Sequence, residues 1–446
     1  MDDALSPQAI LTAVQYEDEL LATLELPSGN LRILRGVGSG LTSRLGAPEG
    51  TFWAVGDRGP NIKVQVAVAT LGLNHLAEHA HLDGAKVMPC PKIGPAISEM
   101  RLEGGKILLV RSFPLRDRSG RPLSGLPTPG SDASHNEPAF ALDGSPIPSD
   151  PSGADTEGIA ACPDGSFFAG DEYGPSVFHV AAHGEVLARW VPAGLKPLFA
   201  QADYPVVGNL PAIASSRRLN RGFEGLALSP DGGSLFLAFQ SPLAHPDEQA
   251  HRKAKHVRLW QLDTVTGEVI AQYLYPLDQP TSFGRDIEHG DVARRDIKVS
   301  ELAMIAPDRL LVLERVSQTT KLYAVWLDPS RAAGREHLNT ATTPTIEVLS
   351  ALGELEPQLP VLAKSLVLNT DDFPQVDADL EGLILLSPRS LLLVNDNDFD
   401  ARSLPGRRER QSGHGRRYCW KTPVTARLSP SHWTQLTWTV AVSLLT

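Results

Sequence analysis

A repeated unit, found six times along this chain, constrains the fold more than any other feature of the sequence. The four clearest copies begin with a Glu-Gly or Glu-Leu step, continue through an apolar strand and a turn of the Pro-Asp-Gly type, and end in a second apolar strand, and the copies at Gly40 and Glu99 are weaker. The copy from Phe223 to Gln240 has all of these parts. The six anchors, at positions 40, 99, 157, 224, 301 and 381, are 58 to 80 residues apart.

Six units of this size predict an all-β fold, a β-propeller with six four-stranded blades. Candidates for the outer strands follow the anchors, as at Val177 to Val180 and Val186 to Trp190. The segments between the apolar strands are rich in Pro, Gly and Asp and lack the amphipathic helices that an α/β fold requires. We expect the propeller to span residues 30–400, after an N-terminal segment of residues 1–29.

The last part of the chain, residues 401–446, differs from the rest. It is rich in arginine and contains no copy of the repeat. We interpret it as a tail foreign to the propeller, either a frameshifted reading or a basic extension. This interpretation leaves the closure of the last blade open.

Charge and cysteine content exclude several classes of function. The formal net charge of -11 disfavours a nucleic-acid binder, which needs clustered Lys and Arg. Three cysteines without a CxxC motif imply neither a zinc site nor a disulfide framework. No signal peptide and no membrane span are visible in the sequence, and we leave the localisation open.

Carboxylates are expected to line the central channel, because the first strand of each blade faces the propeller axis. Grouped carboxylates repel one another unless a cation or arginine partners neutralise them. Oxygen ligands in a flexible ring favour Ca²⁺ over zinc. The predicted metal ligands are Glu157, Asp171, Glu224, Glu301, Glu381, Asn395 and Asp396. The alternative is that the glutamates bond to backbone groups or pair with Arg58 and Arg315.

Other residues near the predicted ring are candidates for chemistry. Glu172, Glu314 and Asp57 are the candidate catalytic carboxylates, since an unliganded carboxylate can activate water. Arg58, Arg315 and Lys364 are candidates for binding an anionic substrate. For each of these three cations, an ordinary ion pair is the alternative.

Several motifs together resemble the esterase-like phytase family. The matching segments are Gly56 to Asn61, Asp155 to Ile159, Glu172 to Pro175, Gly222 to Leu226, Ser300 to Leu302, Leu313 to Arg315 and Asn395 to Phe399. The resemblance implies a propeller, frequently exported, with hydrolytic activity on esters or phosphoesters. The chain departs from the family pattern after Phe399, where Asp400 and the Arg-rich tail replace a glycine and the closing strands.

These observations lead us to expect a Ca²⁺-dependent hydrolase of phosphate or carboxylate esters, active as a monomer on a small anionic substrate. A lactonase-type propeller is a close variant with a comparable ring of Glu, Asn and Asp. A non-enzymatic propeller that binds a ligand or partner and holds a structural calcium ion is the alternative from a different class. A serine nucleophile is disfavoured, because the chain has no Gly-x-Ser-x-Gly elbow.

Overall fold

The computed structural model describes residues 10–130, 137–387, 390–396, 398–400 and 424–427, and most of its regular structure is β-strand. The first strands are β1 (Ile10–Ala13), β2 (Leu20–Leu26), β3 (Gly29–Leu34), β4 (Gly40–Thr42), β5 (Thr51–Val55), β6 (Ile62–Lys63), β7 (Lys86–Val87), β8 (Ala96–Glu103), β9 (Lys106–Pro114), β10 (Ala139–Phe140) and β11 (Pro146–Ile147). The later strands are β12 (Thr156–Ala161), β13 (Phe167–Asp171), β14 (Ser176–Val180), β15 (Val186–Pro192), β16 (Val206–Leu210), β17 (Phe223–Leu228), β18 (Ser234–Phe239), β19 (His256–Asp263), β20 (Val269–Pro276), β21 (Lys298–Ala306), β22 (Arg309–Arg315), β23 (Thr320–Trp326), β24 (Lys364–Asn369), β25 (Leu380–Ser387), β26 (Ser390–Asn395) and β27 (Val424–Arg427). The α-helices are short: α1 (Val64–Leu71), α2 (Glu248–Lys253), α3 (Gly284–Ile287) and α4 (Ile346–Leu352).

Five antiparallel sheets form the blades of a propeller, which confirms the predicted all-β class. Blade 1 is β4-β5-β8-β9, blade 2 is β12-β13-β14-β15 with β16 added in parallel, blade 3 is β17 to β20, blade 4 is β21 to β24, and blade 5 is β25-β26-β27-β1. The first strands contact one another in the order β4, β12, β17, β21, β25 and back to β4. These contacts close a ring around a central axis.

The prediction of six blades is wrong within the described residues, where the ring has five. The anchor at Glu99 lies on β8, the third strand of blade 1, opposite Trp53 of β5. The segment between β5 and β8 does not supply the outer strands of a blade. It forms α1 and two short strands of a small separate sheet, β6-β7-β10-β11. The third strand of blade 1 is therefore separated from the first strand of that blade by about the number of residues expected between two blades.

The Glu-Gly step of the repeat has a steric reason in this ring. A Cβ atom on Gly158 would lie 1.7 Å from the backbone oxygen of Glu224 on the next blade. A Cβ atom on Gly225 would lie 2.7 Å from backbone atoms of Glu301 and Leu302, one blade further on. Only glycine permits this approach of neighbouring first strands.

Apolar side chains fill the spaces between adjacent blades. One cluster joins Trp53 of blade 1 to Phe167 of blade 2, and another joins Phe52 of blade 1 to Leu392 of blade 5. A separate cluster holds the β2-β3 hairpin, α1 and the small sheet together, and it includes Phe399. Phe399 thereby fixes the loop that follows β26.

Both chain ends contribute to blade 5. β27 pairs with β26 on one side and with β1 on the other. The rest of the predicted tail, residues 401–423 and 428–446, lies outside the described residues. None of the helices that the structure describes has the length and apolar character of a membrane span.

We expect Gly158→Ala to lower the free energy of unfolding by about 1–3 kcal/mol, because the added methyl group would force the first strands of blades 2 and 3 apart. Gly208→Ala is the matched control, since the nearest atom to its added Cβ is an ordinary 3.6 Å away. Urea unfolding of both variants measures the difference. Equal stabilities would contradict the close approach of the first strands.

Candidate metal centre and its surroundings

Register shifts mark the anchors of blades 2 to 5. In blade 2 the pairing of β12 with β13 shifts between Thr156 and Gly158, so that Glu157 has no opposite residue. Shifts within two residues of Glu224, Glu301 and Glu381 occur in the other three blades. A bulge of this kind re-aims the side chain it carries. The direction of these glutamates therefore does not follow from strand alternation.

Five carboxylates converge near the start of β12. Asp57 follows β5, Asp155 and Glu157 lie at the start of β12, and Asp396 and Asp398 follow β26. Ligand oxygens of Asp57, Asp396 and Asp398 lie within 4.8 Å of one another, and so do those of Asp57, Asp155 and Glu157. We call these five residues the carboxylate cluster. Asp57 belongs to both groups and joins blades 1, 2 and 5.

Burial and mutual repulsion disfavour the ionised form of this cluster. Burial raises the pKa of Asp57 well above its ordinary range, and the carboxylates of Asp155 and Asp396 raise it further. Burial raises the pKa of Asp155 to about 7, although Arg58 opposes this shift. Burial and the neighbouring carboxylate of Asp155 also raise the pKa of Glu157. A bound cation would relieve this repulsion.

Buried polar atoms beside the cluster lack hydrogen-bond partners. The side chain of Asn395 is fully buried, and neither its oxygen nor its nitrogen has a partner. Oε2 of Glu172 is also buried without a hydrogen bond. Unsatisfied buried polar groups are costly and indicate a missing water or ion. The donor set of carboxylate and amide oxygens fits a hard divalent cation such as Ca²⁺.

Arg58 is the counter-ion on one side of the cluster and is only 3% exposed. Its Nη2 lies 2.6 Å from Oδ2 of Asp155 and 3.6 Å from Oε2 of Glu172, and its Nη1 pairs with Glu137. Asn220 accepts a further hydrogen bond from Nη2 at 2.6 Å. The guanidinium is thus held by protein groups, which is the ion-pair alternative that the sequence left open.

A second pair of carboxyls, Glu172 and Glu224, adjoins the cluster. Burial raises the pKa of Glu224, and the neighbouring Glu172, with which it shares a hydrogen bond, raises it further. Gln240 donates a hydrogen bond from its side-chain nitrogen to Oε1 of Glu224. The raised pKa of Glu224 favours its protonated form, which can donate the hydrogen bond to Glu172.

The remaining predicted ligands have protein partners. Glu301 accepts hydrogen bonds from the backbone nitrogens of Leu41, Leu302 and Leu226, at 3.0, 3.0 and 3.3 Å, and so connects blades 1, 3 and 4. Asp171 lies 2.7 Å from the guanidinium of Arg189 and is fully buried. The assignment of these residues as ligands stays a prediction.

Glu381 and Arg315 form an ion pair between blades 4 and 5. Arg315 also donates to the hydroxyl of Ser300 at 2.9 Å and to the backbone oxygen of Val316 at 3.0 Å. It is 2% exposed. This geometry is again that of an inter-blade ion pair, and a substrate-binding role for Arg315 stays a prediction.

Glu314 and Lys364 belong to another polar group, between blades 3 and 4. Oε2 of Glu314 accepts hydrogen bonds from the hydroxyl of Tyr275 at 2.6 Å and from Lys364 at 2.8 Å, and Oε1 accepts one from the backbone nitrogen of Asp278 at 2.7 Å. Lys364 also lies 2.9 Å from Asp278. The side-chain hydrogen bonds and ion pairs of Glu314 and Lys364 among the described residues all lie within this group.

Asp155 was not among the predicted ligands. It lies two residues before Glu157, in the motif from Asp155 to Ile159. This nearness to a predicted ligand in the sequence was the available signal. Of the predicted residues, the structure brings Asp57, Glu157 and Asp396 into one cluster, and it adds Asp155 and Asp398.

A cavity lined by the later residues of the first strands lies away from these carboxylates. It has a volume of about 600 Å³ and is lined by the loop after β4 and by the later residues of the first strands, including Leu228, Met304 and Leu385. None of the five residues of the carboxylate cluster lines it. Its size alone therefore gives no reason to place the chemistry there.

Comparison with known families gives one match over most of the chain. The Phytase-like family, described as "Esterase-like activity of phytase", matches residues 35–399. An uncharacterized secreted protein of Arthroderma benhamiae is 30% identical over 247 residues, which are 49% of this chain and 45% of that relative. The match thus spans less than half the length of that curated relative.

The solved structures that resemble this chain do so with low sequence identity and low TM-scores. A luciferin-regenerating enzyme has 10% identity and a TM-score of 0.34, with 99% of this chain and 100% of that chain covered. Regucalcin from Agrobacterium tumefaciens, described as a calcium-binding protein, has 12% identity and a TM-score of 0.32, with 97% and 99% covered. The family match is therefore the similarity from which a function can be proposed.

We expect Asp57→Asn to change the melting temperature in opposite directions with and without calcium. In chelator the variant should melt above the wild type, because one repelling carboxylate is removed. With saturating calcium it should melt below the wild type, and its calcium affinity should fall at least about 10-fold. Asp203→Asn, which changes an exposed aspartate, is the charge-matched control and should change neither value.

The same cluster predicts a pH dependence. The folded-state pKa of Asp155, about 7, exceeds its ordinary value of 3.8, so its contribution to stability is present at pH 4 and is lost as the pH rises through 7. Thermal melts of the chelated protein between pH 5 and 8 should show this loss, and calcium should reverse it at pH 8. A melting temperature that changes neither with pH nor with added calcium would contradict the metal centre.

Proposed function

Since this chain belongs to the Phytase-like family, whose membership supports a hydrolase-type propeller, we propose that it is a Ca²⁺-dependent hydrolase of phosphate or carboxylate esters. The observation that carries the proposal is the pair of three-carboxylate groups that share Asp57. Family membership supports the reaction class, and the carboxylate cluster would bind the metal ion.

Calcium is the ion that the donor set favours. The five carboxylates of the cluster and the amide oxygen of Asn395 are all hard oxygen ligands, and no His or Cys belongs to either described three-carboxylate group. Six to eight oxygens at flexible positions suit Ca²⁺ better than Mg²⁺, which demands a regular octahedron, or Zn²⁺, which prefers nitrogen and sulfur. Arg58 contributes only one positive charge to this group, so a divalent cation balances it better.

The bound ion would polarise the oxygen of the ester and lower the pKa of a water molecule. Within this chain, Glu172 is the carboxylate best suited to accept a proton from that water. Its Oε2 has no hydrogen bond, and burial raises the pKa of the neighbouring Glu224 carboxyl, which favours the protonated form of Glu224. Arg58, 3.6 Å from Oε2, orients the carboxylate.

Glu314 is the weaker of the two candidate bases. Both of its oxygens are occupied by Tyr275, Lys364 and the backbone of Asp278. A base must be free to accept the proton that it abstracts. The proposal therefore assigns the base to Glu172 and keeps Glu314 as the alternative.

A non-enzymatic propeller is the second candidate function. The burial of Asp57 and Asp155, 7% and 0% exposed, favours an ion that only holds blades 1, 2 and 5 together. In that case calcium would raise the melting temperature with no turnover of any ester. A lactonase would use the same carboxylate cluster, so lactones must be tested as substrates together with the esters.

We expect Glu172→Gln to lower kcat at least about 100-fold while calcium affinity changes less than about threefold, because the variant keeps the cluster but loses the base. The assay is hydrolysis of a panel of phosphate monoesters, carboxylate esters and lactones, with and without chelator. Chelation should abolish the wild-type rate.

Two further variants make this test specific. Glu347→Gln removes another buried carboxylate, one that binds Arg258 at 2.7 Å, and should lower stability without a comparable loss of kcat. Glu314→Gln compares the two candidate bases directly. A greater loss of kcat in Glu314→Gln than in Glu172→Gln would overturn the assignment, and turnover that survives chelation would overturn the calcium-dependent mechanism.

A further inference from the structure

Two cations without carboxylate partners lie together on the side of blades 3 and 4. Arg221 precedes β17 and Lys298 begins β21, and both line a cavity of about 430 Å³. Each stands three residues before the anchor glutamate of its blade, Glu224 or Glu301. The repeat therefore brings the two side chains to one place.

The contacts of these two cations differ from those of four buried arginines. Arg58, Arg189, Arg258 and Arg315 each contact a carboxylate within 4.0 Å. Arg221 instead donates to the side-chain oxygen of Gln240, a neutral acceptor, and has no ion pair among the described residues.

The ammonium group of Lys298 has neither a hydrogen bond nor an ion pair among the residues that the structure describes. Burial lowers its pKa to about 7, and the nearby guanidinium groups of Arg315 and Arg221 lower it further. The carboxylates of Glu224 and Glu172 only partly offset this effect. An anion in the cavity would supply the missing partner for the ammonium group.

The acidic residues that line the same cavity are hydrogen-bonded to backbone groups or exposed to solvent. The carboxylate of Asp286 accepts hydrogen bonds from the backbone nitrogens of Ser317, Gln318 and Thr319. Asp296 accepts one from the backbone nitrogen of Ala293, and Asp291 is exposed. None of them forms an ion pair with Arg221 or Lys298.

Gln240 connects the two cations to the proposed reaction centre. Its side-chain oxygen accepts from Arg221, and its side-chain nitrogen donates to Glu224, which shares a hydrogen bond with Glu172. Its backbone oxygen accepts from Val299, the residue after Lys298, at 2.9 Å. An anion held by Arg221 and Lys298 would thus be connected to the proposed base, Glu172, through Gln240 and Glu224.

We propose that Arg221 and Lys298 bind an anionic group of the substrate, a carboxylate or phosphate, and so select anionic over neutral esters. This inference rests on the proposed function, because it assigns the substrate class of the same site. It places anion recognition on residues other than Arg58, Arg315 and Lys364, which are held in protein ion pairs.

The test compares two esters with one leaving group, neutral 4-nitrophenyl acetate and the anionic mono-4-nitrophenyl ester of succinate. Arg221→Gln and Lys298→Met should each raise KM for the anionic ester about 10-fold or more and leave KM for the neutral ester unchanged. Lys298→Arg, which keeps the charge, should restore most of the loss. Arg295→Gln, which removes an exposed charge from the same surface, is the control for net charge and should change neither KM.

Binding of inorganic phosphate to the chelated protein, followed by calorimetry, separates this inference from the proposed function. If the wild type hydrolyses no ester but binds phosphate, and Lys298→Met weakens that binding about 10-fold, the proposed function fails and the anion site stands. If phosphate does not bind, or if the two variants affect both esters equally, the anion site is overturned. Melting temperatures identify a variant that merely fails to fold, and Lys298→Arg then decides.

Discussion

The close approach of five first strands around one axis is the constraint on which the rest of the structure depends. Gly158 and Gly225 permit that approach, because any side chain there would meet the backbone of the next blade. The same geometry directs the glutamates that precede these glycines into a confined space. Carboxylates in such a space must be neutralised, hydrogen-bonded or protonated.

The molecule satisfies most of these carboxylates with its own groups. Glu301 receives backbone N–H groups from three blades, and Glu381 receives Arg315. The carboxylate cluster around Asp57 is different, because the positive charge of Arg58 offsets only part of the rise that burial and the neighbouring carboxylates cause in the pKa of Asp57 and Asp155. The carboxylate cluster lies on blades 1, 2 and 5, whereas Arg221 and Lys298 lie at the start of blades 3 and 4. In our proposals, the metal and the anionic group of the substrate occupy these opposite sides, with Glu172 and Glu224 between them.

The repeat was sufficient to predict the fold class, since each strand pair and its turn can be recognised locally. It did not predict the number of blades, because β8 has the pattern and spacing of a first strand. β8 is instead the third strand of blade 1, since the segment before it forms α1 and part of the small separate sheet. Asp57, Glu157 and Asp396 could be predicted as neighbours from their places at strand ends. The directions of Glu301 and Glu314 could not, because bulges and contacts between blades determine them. Asp155 could have been predicted because it lies two residues before Glu157 in the same motif. Arg221 and Lys298 could have been predicted because each lies three residues before an anchor of the repeat.

The most direct test of the account is a crystal structure grown with calcium and measured at a wavelength where calcium scatters anomalously. We predict an anomalous peak within about 2.3–2.6 Å of carboxylate oxygens from Asp57 and from at least two of Asp155, Glu157, Asp396 and Asp398. No peak at saturating calcium, or a peak only at a site that excludes Asp57, would contradict the metal centre on which the proposed function depends.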